Sequence, residues 1–296
     1  MSTRRAAPLL LASLAFAALT AFSLSADADT TIAVTPDMTL SVANYAGSVV
    51  IETWNKNAVR IEATHSEEDK IWVRTVDGAL VVKTTTSPKA QRSADIHITA
   101  PAWMNLEVSG THTDVAVDGT RGALRVTTVH GDVEVAKTTG RVVLNTVNQD
   151  IRVIRAGGTI VTESVNGDCE LRAMEADTVD ASTVNGSILY EGVYRPNGRY
   201  RFSSHHGDVA AAIPTACNAT VAVSTFNGNF SSAFPVSVSE AKRGRRFQFS
   251  LGDGRARIEL KSFQGTIHLY RAGSPAPIHV RPTQATIPGE SDIPNP

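Results

Sequence analysis

Three segments in the middle of the chain follow one another at a fixed step of 18 residues. They are TVHGDVEV at Thr128–Val135, TVNQDIRV at Thr146–Val153 and SVNGDCEL at Ser164–Leu171. A repeat of this length is typical of a solenoid, in which each turn of chain stacks on the turn before it. The repeat therefore predicts a stack of coils, and no other feature of the sequence constrains the fold as strongly.

The glycine of the N-G-D segment gives every unit a common position, numbered zero here. Counting outward from it, ten units can be proposed, most of them 18 to 21 residues apart and a few separated by longer gaps. The residues at position zero are Gly47, Gly78, Thr113, Gly131, Gln149, Gly167, Gly186, Gly207, Gly228 and Gly265.

Apolar residues alternate with polar ones on both sides of position zero. Leu124 and Val126 stand at −7 and −5 of one unit, and Val133 and Val135 stand at +2 and +4 of the same unit. Alternation at period two is typical of a half-buried strand. The sequence therefore predicts an all-β fold, a β-solenoid or parallel β-helix-like stack of about ten two-stranded rungs of 18–21 residues.

The Asn-Gly dipeptide also has another interpretation, since between strands it is most often a two-residue hairpin turn. A hairpin would pair Val165 with Asp168 and place apolar and polar side chains on one face. A coil that bends at Gly167 and runs on would instead keep Val165, Cys169 and Leu171 all pointing inward. We favour the coil, which requires a change of parity, and hence a bulge or bend, between −5 and −2.

Two polar columns support in-register stacking. Position +3 reads Glu134, Arg152 and Glu170 in successive units, which places opposite charges on neighbouring rungs. Position −3 carries only hydroxyl side chains in seven units, which predicts hydrogen bonds from these side chains to the backbone at the bend. The hydroxyl residues are Thr128, Thr146, Ser164, Thr183, Ser204, Thr225 and Ser262.

The N-terminus predicts export. Arg4 and Arg5 precede an uncharged stretch, Ala6–Phe22, and Ala26-Asp27-Ala28 fits cleavage by signal peptidase. Residues 1–28 are therefore predicted to be a signal peptide and not a membrane anchor, because the apolar stretch is short. After cleavage we expect no segment that spans the membrane, and a periplasmic, extracellular or cell-surface location.

The remaining chain is divided into a repeat domain, residues 29–271, and a proline-rich tail, residues 272–296, predicted to be disordered. Insertions are expected around residues 52–70, 83–105 and 233–254. The first two contain predicted extra strands at Val59–Glu62 and Ile96–Ile98. The third reads as a protruding hairpin with a basic tip at Lys242–Arg246.

Charge and cysteine content exclude some classes of partner and bond. The formal net charge of −1 provides no broad basic surface, so nucleic acid is not an expected partner. Cys169 falls on an inward position and Cys217 on a corner two to three rungs away. That separation, roughly 10–14 Å at the rung spacing, exceeds the disulfide limit of about 7 Å.

Four aspartates occupy position +1 of consecutive units and are the candidate metal ligands: Asp114, Asp132, Asp150 and Asp168. Stacked about 4.8 Å apart, neighbouring carboxylates repel by roughly 1 kcal/mol, which a bound Ca²⁺ would relieve. Aspartate is also a common residue at solvated turns. We favour the turn interpretation, expect no cofactor, and keep Ca²⁺ as the alternative.

Position −1 carries His112, His130, Asn148, Asn166 and Asn185. Stacked asparagines can form amide ladders, and adjacent histidines can hold a transition metal. Polar residues at a surface corner are far commoner than ligands, so the ladder is the favoured interpretation.

The recurring T-V-N-G-D-V unit after a secretory signal resembles the bacterial putative-adhesin family of β-strand repeats, a domain of unknown function. Ile96–Pro101 followed by Leu106–Gly110 is similar to the strand, proline and first rung of that family. The resemblance covers roughly Thr31 to Tyr270. It implies an exported β-solenoid, and it implies no catalytic residues.

We therefore expect an exported, non-catalytic protein with adhesin-like binding or an envelope-scaffold role. The partners would be polysaccharide or protein of the envelope or cell surface, and the rung ends could support end-to-end self-association. The alternatives are a calcium-binding surface protein and a carbohydrate-active β-helix enzyme acting at the aspartate corner. A groove beside the aspartates would favour the enzyme, because acid–base chemistry needs clustered carboxylates there.

Overall fold

The computed structural model describes residues 22–24, 28–64, 70–85, 93–235 and 245–280. Within these ranges the regular elements are β-strands, and there is no helix long and apolar enough to cross a membrane. The strands are β1 (Phe22–Leu24), β2 (Ala28–Ala33), β3 (Thr39–Trp54), β4 (Ala58–Thr64), β5 (Lys70–Val76), β6 (Ala79–Thr85), β7 (Ala94–Pro101), β8 (Asn105–Asp118), β9 (Leu124–Thr127), β10 (Val133–Ala136), β11 (Arg141–Asn145), β12 (Ile151–Ile154), β13 (Gly157–Ser164), β14 (Cys169–Thr183), β15 (Ile188–Gly192), β16 (Arg199–His206), β17 (Val209–Ile213), β18 (Ala219–Thr225), β19 (Asn229–Ser232), β20 (Arg245–Leu251), β21 (Ala256–Gln264) and β22 (Thr266–Arg271).

The strands form two parallel faces that meet at a corner, where position zero of each rung lies. The first face runs in the order β6, β3, β8, β9, β11, β13, β14, β16, β21, β18. The second face runs in the order β7, β3, β8, β10, β12, β14, β15, β17, β22, β19. Because β3, β8 and β14 contribute to both faces, ten two-stranded rungs result. The predicted all-β solenoid is confirmed.

The core lies between the faces and is built from the alternating apolar positions. Leu124, Val126, Val133 and Val135 are buried as predicted. Cys169 is also fully buried, and both it and Cys217 are free thiols, as expected. Towards the C-terminal rungs the core becomes aromatic, with Tyr190, Tyr200 and Phe202 among its largest buried side chains.

Stacking order differs from chain order at the C-terminal end. The coil β21–β22 comes last in the chain, yet it lies between the coil β16–β17 and the coil β18–β19. Gly265 is therefore the neighbour of both Gly207 and Gly228. The units at Gly207 and Gly228, 21 residues apart in sequence, are therefore not adjacent in the stack.

The unit proposed at Gly78 is not a coil. Asp77 and Gly78 both have positive φ, 47° and 78°, and join the antiparallel strands β5 and β6. Two central residues with positive φ are typical of a type I′ hairpin, so the hairpin interpretation is right at this one position. The tenth rung is completed instead by β7, which was predicted to be an inserted strand.

Antiparallel strands cover both ends of the first face and the β7 end of the second. β4 and then β2 follow β7, β5 and then β1 follow β6, and β20 lies along β18. The segment predicted to be a protruding hairpin around 233–254 thus supplies a capping strand, and its basic residues 242–244 lie outside the described residues. A covered edge is less available for pairing with another chain.

The first part of the tail is packed and not disordered. Ile278 is buried against Leu189, Ala210, Ala212 and Tyr270 on the outer side of the second face. Residues 281–296 lie outside the described residues. Of the predicted signal peptide, the structure describes only β1 and Ala28, so cleavage after Ala28 stays a prediction.

Candidate functional site

Each rung bends at position zero, where successive rungs approach closely. A Cβ built on Gly167 would lie 1.9 Å from the carbonyl oxygen of Gln149, and one built on Gly186 would lie 2.1 Å from that of Gly167. These distances are far below van der Waals contact, so the backbone of the neighbouring rung occupies the place of a side chain. Glycine at position zero therefore marks the point where neighbouring rungs leave the least room.

The hydroxyl residues at position −3 fasten one rung to the next. Thr183 donates to the carbonyl oxygen of Gly167 at 2.8 Å, and Ser204 donates to that of Gly186 at 2.7 Å. The same bond recurs from Thr128, Thr146, Ser164 and Ser262. The predicted side-chain-to-backbone bonds are confirmed, but these six join different rungs. The seventh hydroxyl, that of Thr225, closes a local turn by accepting the N–H of Gly228 at 3.0 Å.

These hydroxyls are buried, so the strand alternation continues through −3 and reverses at the corner itself. The predicted bulge between −5 and −2 is wrong, and with it the inward position of Val165, which is 40% exposed. Position −2 therefore points outward in every rung.

The outward side chains at −2 form a column that is apolar at seven of its nine positions, which we call the corner ridge. In stacking order it reads Tyr45, Thr111, Val129, Val147, Val165, Val184, His205, Phe263 and Phe226. The described residues include eight large apolar side chains that are exposed, and six of them lie on this ridge. The structure therefore concentrates its exposed apolar surface on one edge.

The polar residues at −1 form a hydrogen-bonded ladder beside the ridge. Asn166 donates to Asn148 and Asn185 donates to Asn166, both at 2.8 Å, and the ladder continues to His130 and His206. The predicted amide ladder is confirmed.

The neighbouring ring of His112 stacks face to face on that of His130, with centroids 4.8 Å apart. Ring nitrogens donate their lone pairs in the plane of the ring, so stacked rings do not converge on one metal ion.

The four candidate metal ligands form a second ladder. Asp114, Asp132, Asp150 and Asp168 each accept, through Oδ1, the backbone N–H of position +1 in the next rung, at 2.7–3.0 Å. Burial raises the pKa of Asp114, and the charge of Asp132 raises it further against the opposing effect of the hydrogen bond. Among the described residues, no group of three or more histidines, cysteines or carboxylates could hold a metal ion.

Two further aspartates belong to this ladder. Asp208 accepts the N–H of Thr266, and Asp95 accepts the N–H of Ser48. Asp208 directly follows Gly207, so the position +1 rule would have found it. Asp95 lies in the rung formed by β6 and β7, which no regular spacing reveals.

A groove of about 670 Å³ lies beside the aromatic end of the ridge. Four ridge residues line the groove: Val184, His205, Phe263 and Phe226. Two cationic residues, Arg246 and Lys261, also line it. All remaining lining residues are serines and threonines. None of the four aspartates lines the groove, so it does not have the position that the enzyme alternative predicted.

Comparison with known proteins places the fold in a family. A profile of the Toastrack DUF4097 family matches residues 21–189, more than half of the chain. The chain belongs to this family. The resemblance to a putative-adhesin domain of unknown function, inferred from the T-V-N-G-D-V units, is thereby confirmed.

Two solved structures are similar to this Toastrack chain over most of its length. One is titled a putative adhesin from Bacteroides fragilis, with 13% identity and a TM-score of 0.38, covering 86% of this chain and 98% of its own. The other is titled a putative cell adhesion protein from Clostridium sporogenes, with 9% identity and a TM-score of 0.29, covering 83% and 99%. No curated protein matches the sequence.

The Toastrack match ends at residue 189, so His205, Phe226, Arg246, Lys261 and Phe263 lie beyond it. The valine part of the ridge is inside the matched segment, and the groove is outside it. Family membership alone therefore says nothing about the groove.

The aspartate ladder gives a first testable prediction. Asp132→Ala and Asp132→Asn remove the same charge, but only the asparagine keeps an oxygen that can accept the buried N–H of Asp150. We expect the alanine variant to be less stable than the asparagine variant by about 1–3 kcal/mol, because it leaves a buried donor unpaired. Chemical denaturation measures the difference.

Repeating the measurement with calcium and with a chelator tests the metal alternative. We expect the stability of the wild-type protein and of both variants to be independent of calcium. A stabilisation by calcium that Asp132→Asn abolishes would contradict the structural role and favour a calcium site.

Proposed function

We propose that this Toastrack protein is an exported, non-catalytic, adhesin-like protein that binds a polymer of the envelope or cell surface along the corner ridge. The observation that carries the proposal is the concentration of exposed apolar side chains on that ridge. Contiguous exposed apolar surface is uncommon on soluble proteins and marks interaction sites.

The shape of the ridge favours an extended partner. It follows nine rungs, so its length is eight rung spacings, roughly 38 Å. The apolar column contacts the partner, and the amide ladder one residue away supplies polar groups at the same spacing. A polysaccharide chain, which has apolar C–H faces and hydroxyl groups at regular intervals, matches this pairing of columns.

Two observations support a binding role over catalysis. The carboxylates of the aspartate ladder are hydrogen-bonded to backbone amides, and the groove beside the ridge has no carboxylate among its described lining residues. Glycoside hydrolysis ordinarily needs two carboxyl groups flanking the bond to be cleaved. Export is supported by the N-terminal sequence, with its two arginines, apolar stretch and A-x-A pattern.

Substitution of the ridge valines tests the proposal. In the mature chain, Val147→Thr, Val165→Thr and Val184→Thr together keep β-branched side chains and reduce the apolar surface. We expect the triple variant to bind at least about tenfold less to an envelope fraction of the source bacterium, measured by co-sedimentation, because each lost apolar contact weakens binding.

The chain offers a matched control. Val76 and Val193 are 42% and 46% exposed, as much as the ridge valines, but lie off the ridge. Their threonine variants should bind like the wild-type protein. Equal sedimentation of the ridge variant and this control would overturn the proposed function.

A further inference from the structure

The groove at the C-terminal end of the ridge has a chemical character of its own. His205, Phe263 and Phe226 stack on successive rungs, with centroids 4.6 Å and 4.9 Å apart and interplanar angles of 16° and 5°. Phe226 ends this stack and is still 55% exposed, although Phe263 covers one of its ring faces. An exposed aromatic face at the end of a groove is a stacking platform for an apolar ligand surface.

The charged residues of the groove have one sign. Arg246 and Lys261 line it, and neither aspartate nor glutamate does among the described residues. Lys261 is paired with Glu259 at 2.6 Å, and Glu259 also binds Arg201 at 3.1 Å. Arg246 has no ion-pair partner in the described part of the chain. A planar guanidinium of this kind binds a carboxylate through two parallel hydrogen bonds.

The remaining walls are polar and small. Of the eight serines and threonines that line the groove, five belong to the buried −3 column and are bonded to the backbone. The other three, Ser182, Ser203 and Ser224, are partly exposed, and their hydroxyls can donate or accept hydrogen bonds to a ligand. The groove follows five rungs, from that of Ser164 to that of Phe226, so it is about four rung spacings long, roughly 19 Å. Its volume lies within the usual range for ligand sites, about 300–1,000 Å³.

From this combination we infer that the groove binds an acidic polysaccharide, with a uronate carboxylate on Arg246 and Lys261 and the C–H face of a sugar ring on Phe226. A neutral glycan would leave Arg246 without an ionic partner. A lipid headgroup or a nucleic acid would supply the anion as a phosphate, but neither presents a chain of sugar rings that each carry a carboxylate. The inference rests on the proposed function and names the ligand class at one end of the same ridge.

Polygalacturonate, a uniform chain of uronates, is the probe. We expect the mature protein to bind it in isothermal titration calorimetry. Binding to fully methyl-esterified polygalacturonate, which keeps the rings and loses the charges, should be at least about tenfold weaker, and affinity for the acid form should fall as salt is raised.

Three variants locate the site. Arg246→Gln, Lys261→Gln and Phe226→Ala should each reduce affinity for polygalacturonate about fivefold or more, and Arg141→Gln, which removes an exposed arginine on β11, should not. All four side chains are partly or fully exposed, so circular dichroism and the melting temperature should match those of the wild-type protein. Equal binding of acid and ester, or binding that all groove variants retain, would overturn the inference.

Vesicles containing phosphatidylglycerol and a single-stranded oligonucleotide are the competing probes. Binding to either of these without binding to polygalacturonate also contradicts the inference. Such a result leaves the proposed function standing if the ridge valine variant still loses envelope binding. The opposite result is also possible. If the groove variants lose polygalacturonate binding while the ridge variant binds the envelope fraction like the wild-type protein, the groove site stands and the proposed function of the ridge is overturned.

Discussion

Replacing Gly186 with alanine is expected to destabilise the protein by about 3 kcal/mol or more, because the added Cβ would meet backbone that cannot rotate away. The Cβ would lie 2.1 Å from the carbonyl oxygen of Gly167. The same oxygen accepts the hydrogen bond of Thr183 at 2.8 Å. Relief of the clash requires the two rungs to separate, which also lengthens that bond. Chemical denaturation measures the loss.

Gly157→Ala is the matched control. The nearest heavy atom to its Cβ would be 3.7 Å away, an ordinary contact, and Gly157 does not have positive φ. We expect a change within about 1 kcal/mol, in the stabilising direction, because alanine restricts the unfolded chain more than glycine does. If Gly186→Ala proved as stable as this control, the corner would have to be far more compliant than the structure indicates.

The chain itself shows what a larger residue does at position zero. Gln149 occupies it in one rung, stacked on Gly131. There the hydroxyl bond from Thr146 to the carbonyl oxygen of Gly131 is 3.4 Å long, the longest of the column. A larger residue at this corner thus coincides with a longer hydrogen bond between rungs. The corresponding bonds near Gly186 are short, 2.7–2.8 Å, so the rungs there are held closer together.

The rung was predictable from the sequence because two physical rules act on every unit. Strand alternation identified Leu124, Val126, Val133 and Val135 as core residues, and the close approach of rungs explained the glycines. The outward turn of Val165 was not predicted, because apolar character was taken as a sign of burial. A ridge that is exposed and apolar violates that rule, and residues that do so are those most often selected for binding.

The false unit at Gly78 had a detectable signal. At the true corners, position +1 carries a side chain with an oxygen, and Asp114, Asp132 and Ser187 are examples that accept an N–H of the next rung. Ala79, the residue after Gly78, has no such oxygen. The aspartates first considered as metal ligands are therefore a better marker of a corner than the glycine itself.

Stacking order could not be predicted, because every unit has the same columns and any rung is a suitable neighbour for any other. Gly228 and Gly265 both fit above Gly207 by sequence, with Phe226 or Phe263 on the ridge. What places β21 beside β16 is the capping strand β20, which occupies the outer edge of β18. The sequence predicts a protruding hairpin in the long gap between the two units, and so it assigns no strand to the outer edge of β18.

The insertion of the last coil leads to the second large effect. Ending the mature chain after Arg255 removes β21 and β22, which are the only parallel neighbours of β18 and β19 among the described strands. The remainder of that rung is a two-stranded β18–β20 pair, and an isolated hairpin is marginally stable at best in water. We therefore expect the amides of β18 and β20 to exchange at nearly unprotected rates in hydrogen-exchange mass spectrometry, a loss of protection of several orders of magnitude.

Earlier rungs should keep their protection, because each rung of a solenoid contacts only its neighbours. A chain ending after Ala272 is the control: it lacks the tail that packs through Ile278 but retains the whole inserted coil, so β18 should stay protected. If β18 remained protected in the shorter chain as well, it would have moved into the vacated place beside β16. That result would show that the rungs are interchangeable and that chain connectivity, with no contribution from side-chain fit, determines their order.

Such a rearrangement would also bring Phe226 directly onto His205 and shorten the aromatic stack of the groove by one ring. The same truncated chain would then report how much of the binding to polygalacturonate depends on Phe263.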